Sequence, residues 1–118
     1  MKQATIQPGK YYLGDPCYSL NESWDFFLKQ TDCFRKSSIA ELDGYQVLAF
    51  KTKWGDGTYR SNTGRIFYVD AGMIGLVPIE LSQEKEPFNS MVIEFSEPTL
   101  CKSVKGKLYF GRVVIDTN

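Results

Sequence analysis

The chain has 118 residues, 42% hydrophobic and 14% aromatic, so it reads as one domain with enough apolar material for a core without disulfides or metal. Fourteen basic and fourteen acidic residues cancel. No cationic excess is present to bind nucleic acid through counterion release, and no Lys/Arg block suits a membrane surface.

In chain order, residues 2–6 and 9–13 read as short strands split by the turn signal Pro8-Gly9. Gly14-Asp15-Pro16 then reads as a stiff turn: Gly for unusual backbone angles, Asp for bonding its own backbone, Pro for a fixed φ. Residues 21–30 form the predicted helix. Asn21 is its cap, acids sit in its first turn, and Trp24, Phe27 and Leu28 make one apolar face. Residues 31–38 are polar and predict a loop or an exposed edge. Residues 45–52 predict a mostly buried strand, and 54–59 a hairpin turn around Asp56-Gly57. Further strands are expected at 65–70, 73–78, 91–95, 99–104, 107–110 and 112–115, with a charged loop at 82–89. About eight short strands and one helix predict a mainly β, α+β domain over 1–118: an antiparallel sandwich or partly open barrel.

Histidine is absent. That removes Ser-His-Asp and Cys-His catalysis, His-containing zinc sites and the usual pH switch. Cys17, Cys33 and Cys101 are odd in number and lack metal spacing, so reduced thiols in a cytoplasm are the simplest expectation. Met1–Gly9 lacks the apolar stretch of a signal peptide, and no run reaches the length of a membrane span. No cofactor, metal or membrane partner is expected.

Four motifs occur in order: Leu-Gly-Asp-Pro-Cys-Tyr (13–18), Trp-Asp-x-Phe (24–27), Gly-Asp-Gly-Thr-Tyr (55–59) and Val-Asp-Ala-Gly-Met-Ile-Gly-Leu-Val-Pro (69–78). As a set they resemble a group of small proteins of tailed bacteriophages and some bacteria, over residues 10–80. Trp54 departs from the pattern, in which a Tyr often precedes Gly-Asp-Gly. The resemblance implies a viral origin and an accessory role in the cytoplasm of an infected host, with host takeover or anti-defence work as the class.

The candidate binding residues are Asp15, Tyr18, Trp54, Asp56, Tyr59, Arg60 and Asp70. Asp15 and Tyr18 are the members of the 11–18 stretch expected to face a ligand. Cys17 reads as a small buried hydrophobe, since no histidine can activate it. Asp70 stands among apolar neighbours, so backbone amides at a sharp turn are its expected partners. Trp54 and Tyr59 are expected at a partly exposed rim, with Lys51, Lys53, Arg60 and Arg65 nearby. These features predict a non-catalytic module that binds a host protein or a small molecule. The alternatives are a metal-assisted hydrolase using Asp15, Asp56 and Asp70, or a minor virion component.

Overall fold

The run Met73-Ile-Gly-Leu-Val-Pro78 carries no charged or hydroxyl side chain, and every one of its residues is buried. A strand buried on both sides must lie inside a sheet covered on both faces. The computed structural model, which describes all 118 residues, has that arrangement. Eleven strands form two antiparallel sheets, and a helical segment covers the outer face of the second.

The strands are β1 (Lys2–Ile6), β2 (Gly9–Gly14), β3 (Ile39–Leu42), β4 (Tyr45–Lys51), β5 (Gly57–Ser61), β6 (Ile66–Val69), β7 (Met73–Pro78), β8 (Met91–Phe95), β9 (Thr99–Val104), β10 (Lys107–Phe110) and β11 (Val113–Asp116). The first sheet runs β1-β9-β10-β11-β5-β6 and the second β3-β4-β7-β2-β8. In the first sheet burial alternates. Phe67 and Val69 point in and Tyr68 out; Leu108 and Phe110 point in and Lys107 out. In β4, Val47, Leu48, Ala49 and Phe50 are all buried. Leu48, Phe50, Ile74 and Leu76 join the core between the sheets. Val47, Ala49, Met73 and Val77 join a second core beneath the helices, with Trp24, Phe27 and Phe34.

Gly75 faces Ala49 across β4–β7. A Cβ there would lie 1.9 Å from the Leu48 carbonyl oxygen, so the two central strands approach this closely only because residue 75 has no side chain.

The helical segment starts earlier than the single helix expected at 21–30. α1 spans Pro16–Leu20, a 3-10 turn covers Asn21–Ser23, and α2 spans Trp24–Thr31. Asp15 is the cap of α1: its Oδ1 accepts the Cys17 amide at 3.0 Å, and Pro16 sits at the first helical position. This Asp-Pro pair is itself a helix-start signal. Asn21 closes α1 at φ 48° instead of capping α2, and its Nδ2 donates to Glu84 Oε1 at 2.6 Å.

α2 ends in three consecutive left-handed residues, Asp32, Cys33 and Phe34, at φ 51°, 56° and 57°. Each costs an L-residue about 1–2 kcal/mol. Local bonds offset this. The Cys33 amide donates to Leu28 O at 2.7 Å. Buried Thr31 donates its hydroxyl to Phe27 O and accepts the Phe34 amide, both at 2.8 Å. Phe34 is buried and stacks on Trp24 at 5.8 Å and 19°. The segment expected as a polar loop therefore supplies a core residue.

Residues 54–59 are not a hairpin. β4 and β5 belong to different sheets, so the Gly-Asp-Gly stretch is a corner that carries the chain from one sheet to the other. The hairpin is the next connection, β5 to β6, closed by the Ser61 amide on Arg65 O at 2.8 Å. β3 and β5 are strands that the sequence reading did not place. No helix is long and apolar enough to cross a membrane.

Candidate functional site

The Gly14-Asp15 turn and the β6–β7 turn lie 55 residues apart in sequence and meet in space through one carboxylate. Asp15 is 1% exposed. Its Oδ2 accepts the amides of Asp70 at 2.6 Å and Ala71 at 2.9 Å, while its Oδ1 caps α1. Both oxygens are thus occupied by the protein's own backbone. This corrects two expectations. Asp15 does not face a ligand, and the carboxylate held by backbone amides is Asp15, not Asp70. Asp70 is exposed, and its Oδ2 accepts the hydroxyl of half-buried Tyr18. That bond and the negative charge of Asp70 raise the Tyr18 phenol above its usual range.

Cys17 is half-buried beside these groups. Burial first, and then the Asp15 and Asp70 carboxylates, push its thiol up to about 12. Such a thiol is protonated at neutral pH and is a poor nucleophile.

Gly14 lets a neighbouring loop pass over the turn. A Cβ at Gly14 would lie 2.7 Å from Ser90 Oγ and 3.2 Å from Ser90 Cα. The 82–89 loop is tied to the end of α1 by Gln83 N on Ser19 O at 2.9 Å and by the Asn21–Glu84 bond. Arg65 Nη2 donates to Ser90 O at 2.9 Å from the other side. Held this way, the loop sets Phe88 edge-on against Tyr18 at 5.1 Å and 6.4 Å from Tyr68. Phe88 is 61% exposed and Tyr68 51%. Phe88 thus meets both Tyr18 and Tyr68, and with the Asp70 carboxylate beside them the three rings make a largely exposed aromatic surface. The sequence reading named Tyr18 and Asp70 from it and missed Tyr68 and Phe88. The alternation in β6 that places Tyr68 outside was a usable signal. Nothing local pointed to Phe88.

The remaining candidates separate. Tyr59 is buried, and its hydroxyl donates to Gly55 O at 2.8 Å, where it holds the sheet-crossing corner. That corrects its expected place on an exposed rim. Trp54 is 68% exposed with Lys53 Nζ 5.3 Å from its ring centre. The corner packs on the β6–β7 turn: a Cβ at Gly72 would be 3.5 Å from Gly55 Cα and 3.8 Å from the Asp56 amide nitrogen. Trp54 and exposed Asp56 therefore stand on a corner adjoining the Asp70 turn. Arg60 does not. It lies three residues along β5, roughly 10 Å at the usual strand rise, beside a concavity shared with Lys107, Tyr109 and Asp116. No group of three or more His, Cys, Asp or Glu side chains converges to hold a metal ion, and both oxygens of buried Asp15 already accept backbone amides. No protein-family model, curated protein or solved structure matches the chain.

Proposed function

We propose that this chain is a non-catalytic binding module that docks on a partner protein through Tyr18, Tyr68 and Phe88, with Asp70 receiving a Lys or Arg from the partner. The observation that carries this reading is the aromatic cluster in which exposed Phe88 meets Tyr18 and exposed Tyr68 beside an exposed carboxylate. Aromatic side chains lose little entropy on docking and are enriched at interfaces. The cluster is positioned by the Asp15 latch and the pinned 82–89 loop, so little ordering remains to be done on binding. The resemblance to tailed-phage proteins makes the partner a host protein in the bacterial cytoplasm, and the task host takeover or anti-defence. A hydrolase built on Asp15, Asp56 and Asp70 has less support, because backbone amides already occupy Asp15.

The test is quantitative capture from a bacterial lysate on immobilised wild-type protein, Tyr68→Ser, Phe88→Ser and the distant Arg60→Ala. One partner should be retained by wild type and Arg60→Ala and depleted about tenfold or more by both aromatic variants, as expected for interface anchors. Thermal melting checks that the variants stay folded. Equal capture by all four proteins would overturn the reading.

A further inference from the structure

Five concavities mark the surface, and in four of them at most two lining residues are hydrophobic. The fifth differs. It lies among α2, the left-handed turn, the Thr52–Gly55 corner and the β6–β7 turn, with a volume of about 460 Å³. Half of its ten lining residues are hydrophobic, with Trp24, Leu28 and Met73 forming the apolar wall. Its volume and mixed lining fit the usual range of small-molecule sites. Two cations, Arg35 and Lys51, line it, and no carboxylate does.

The charged residues that line the cavity are both cations, although the whole chain is neutral. Arg35 also borders a polar groove with Lys2 and Lys36. Lys2 Nζ donates to Phe34 O at 2.7 Å, which ties the first strand's lysine to the left-handed turn. That turn brings half-buried Cys33 and exposed Arg35 to the cavity. Unusual backbone of this kind gathers at ligand clamps and is retained where surrounding bonds over-determine it. Here Thr31 and the Cys33–Leu28 bond do so.

We infer that this cavity binds a small amphipathic carboxylate, its apolar body against Trp24, Leu28 and Met73 and its anionic head between Arg35 and Lys51. The apolar wall calls for a largely hydrophobic ligand. The guanidinium of Arg35 suits a carboxylate because its fork can donate two parallel bonds, and Lys51 adds a second positive charge. No residue lining this cavity belongs to the aromatic surface proposed for protein docking, although both adjoin the β6–β7 turn, so either can fail without the other.

The probe is 8-anilinonaphthalene-1-sulfonate, titrated into the Trp54→Phe protein so that Trp24 is the only indole. Saturable one-to-one binding should quench Trp24 emission by energy transfer. Octanoate should displace the dye, and octylammonium, with the same chain and opposite charge, should not. Lys51→Glu and Arg35→Glu should each weaken the dye and octanoate by about tenfold or more, the usual worth of a hydrogen bond to a charged group. Both residues are exposed, and melting curves verify the fold. If a reversal variant unfolds, Lys51→Gln and Arg35→Gln replace it, with a weakening of several-fold. No saturable binding, equal displacement by octylammonium, or unchanged affinity in folded variants would each refute the site.

Discussion

Replacing Asp15 tests the contact on which the β2–α1 and β6–β7 turns depend. Its carboxylate is buried and accepts three backbone amides: Cys17 at 3.0 Å, Asp70 at 2.6 Å and Ala71 at 2.9 Å. Asp15→Ser keeps an oxygen at the cap position but is one carbon too short to reach the other turn. It therefore loses two charge-assisted bonds, each worth about 1.5–3 kcal/mol. Partial relaxation and relief of carboxylate desolvation set the expected loss at about 3–5 kcal/mol. Asp15→Ala also loses the cap, a further loss of about 1 kcal/mol. Asp15→Asn retains one acceptor and turns an NH₂ toward an amide donor, so an intermediate loss of about 2 kcal/mol is expected. The whole domain is held by only about 5–15 kcal/mol. Equilibrium unfolding in urea, followed by far-UV circular dichroism with linear extrapolation, resolves these differences. The reasoning fails if Asp15→Ser costs less than about 1 kcal/mol, since the turns would then be held together by something else.

Gly75→Ala should cost about 3 kcal/mol or more, because the new Cβ falls 1.9 Å from Leu48 O. Gly44→Ala meets nothing within 4 Å at φ +82°, so it should cost only about 1 kcal/mol, and similar losses at the two sites in urea would contradict the strand packing. Cys17, pushed up to about 12 by burial and the two carboxylates, should react with iodoacetamide at pH 8 far more slowly than the same thiol in urea; equal rates would count against its placement. Tyr18 should keep its proton at an alkalinity where free tyrosine ionises, and Asp70→Asn should lower that point in ultraviolet difference titrations. Because the folded value is raised, its contribution to stability is complete below the unfolded value near pH 10 and is lost as pH rises toward the folded value. A titration unmoved by Asp70→Asn would remove the hydrogen bond from the account.

Alternation made three strands legible: β6, β10 and β11 follow a period of two. β4 and β7 were visible as continuous apolar runs, though not as the two-faced centre of a covered sheet. β3 and β5 were not visible. Ile39–Leu42 is short and contains Glu41, and β5 opens on Gly57 inside a stretch that has hairpin chemistry. Asp56-Gly57 permits a tight turn, but only the three-dimensional pairing decides whether the next strand returns to the same sheet. Asp15-Pro16 satisfies both turn and helix-start rules, and the packing of Leu20 and Trp24 on the second sheet favours the helix. The exchange of roles between Asp15 and Asp70 has the same origin. Each is an Asp at a chain turn, and which one is buried depends on a contact between segments 55 residues apart. Phe88 looked like part of a charged loop because its aromatic neighbours come from α1 and β6. The cationic side of the cavity was hidden because balanced totals say nothing of where charges gather.

The pairing of the strands also governs the order in which the molecule can be made. β1 pairs only with β9, and β2 lies between β7 and β8. During synthesis the first two strands must wait for partners 60 to 100 positions downstream. Such non-local closure is slow, on the order of milliseconds to seconds for β-rich domains. Meanwhile β2 exposes Tyr11 and Leu13, both bound for the core between the sheets. A nascent chain that stalls before residue 99 leaves β1 without a partner and the first sheet without β9, β10 and β11. Truncated products of this sequence are therefore aggregation-prone chains, not smaller versions of the domain.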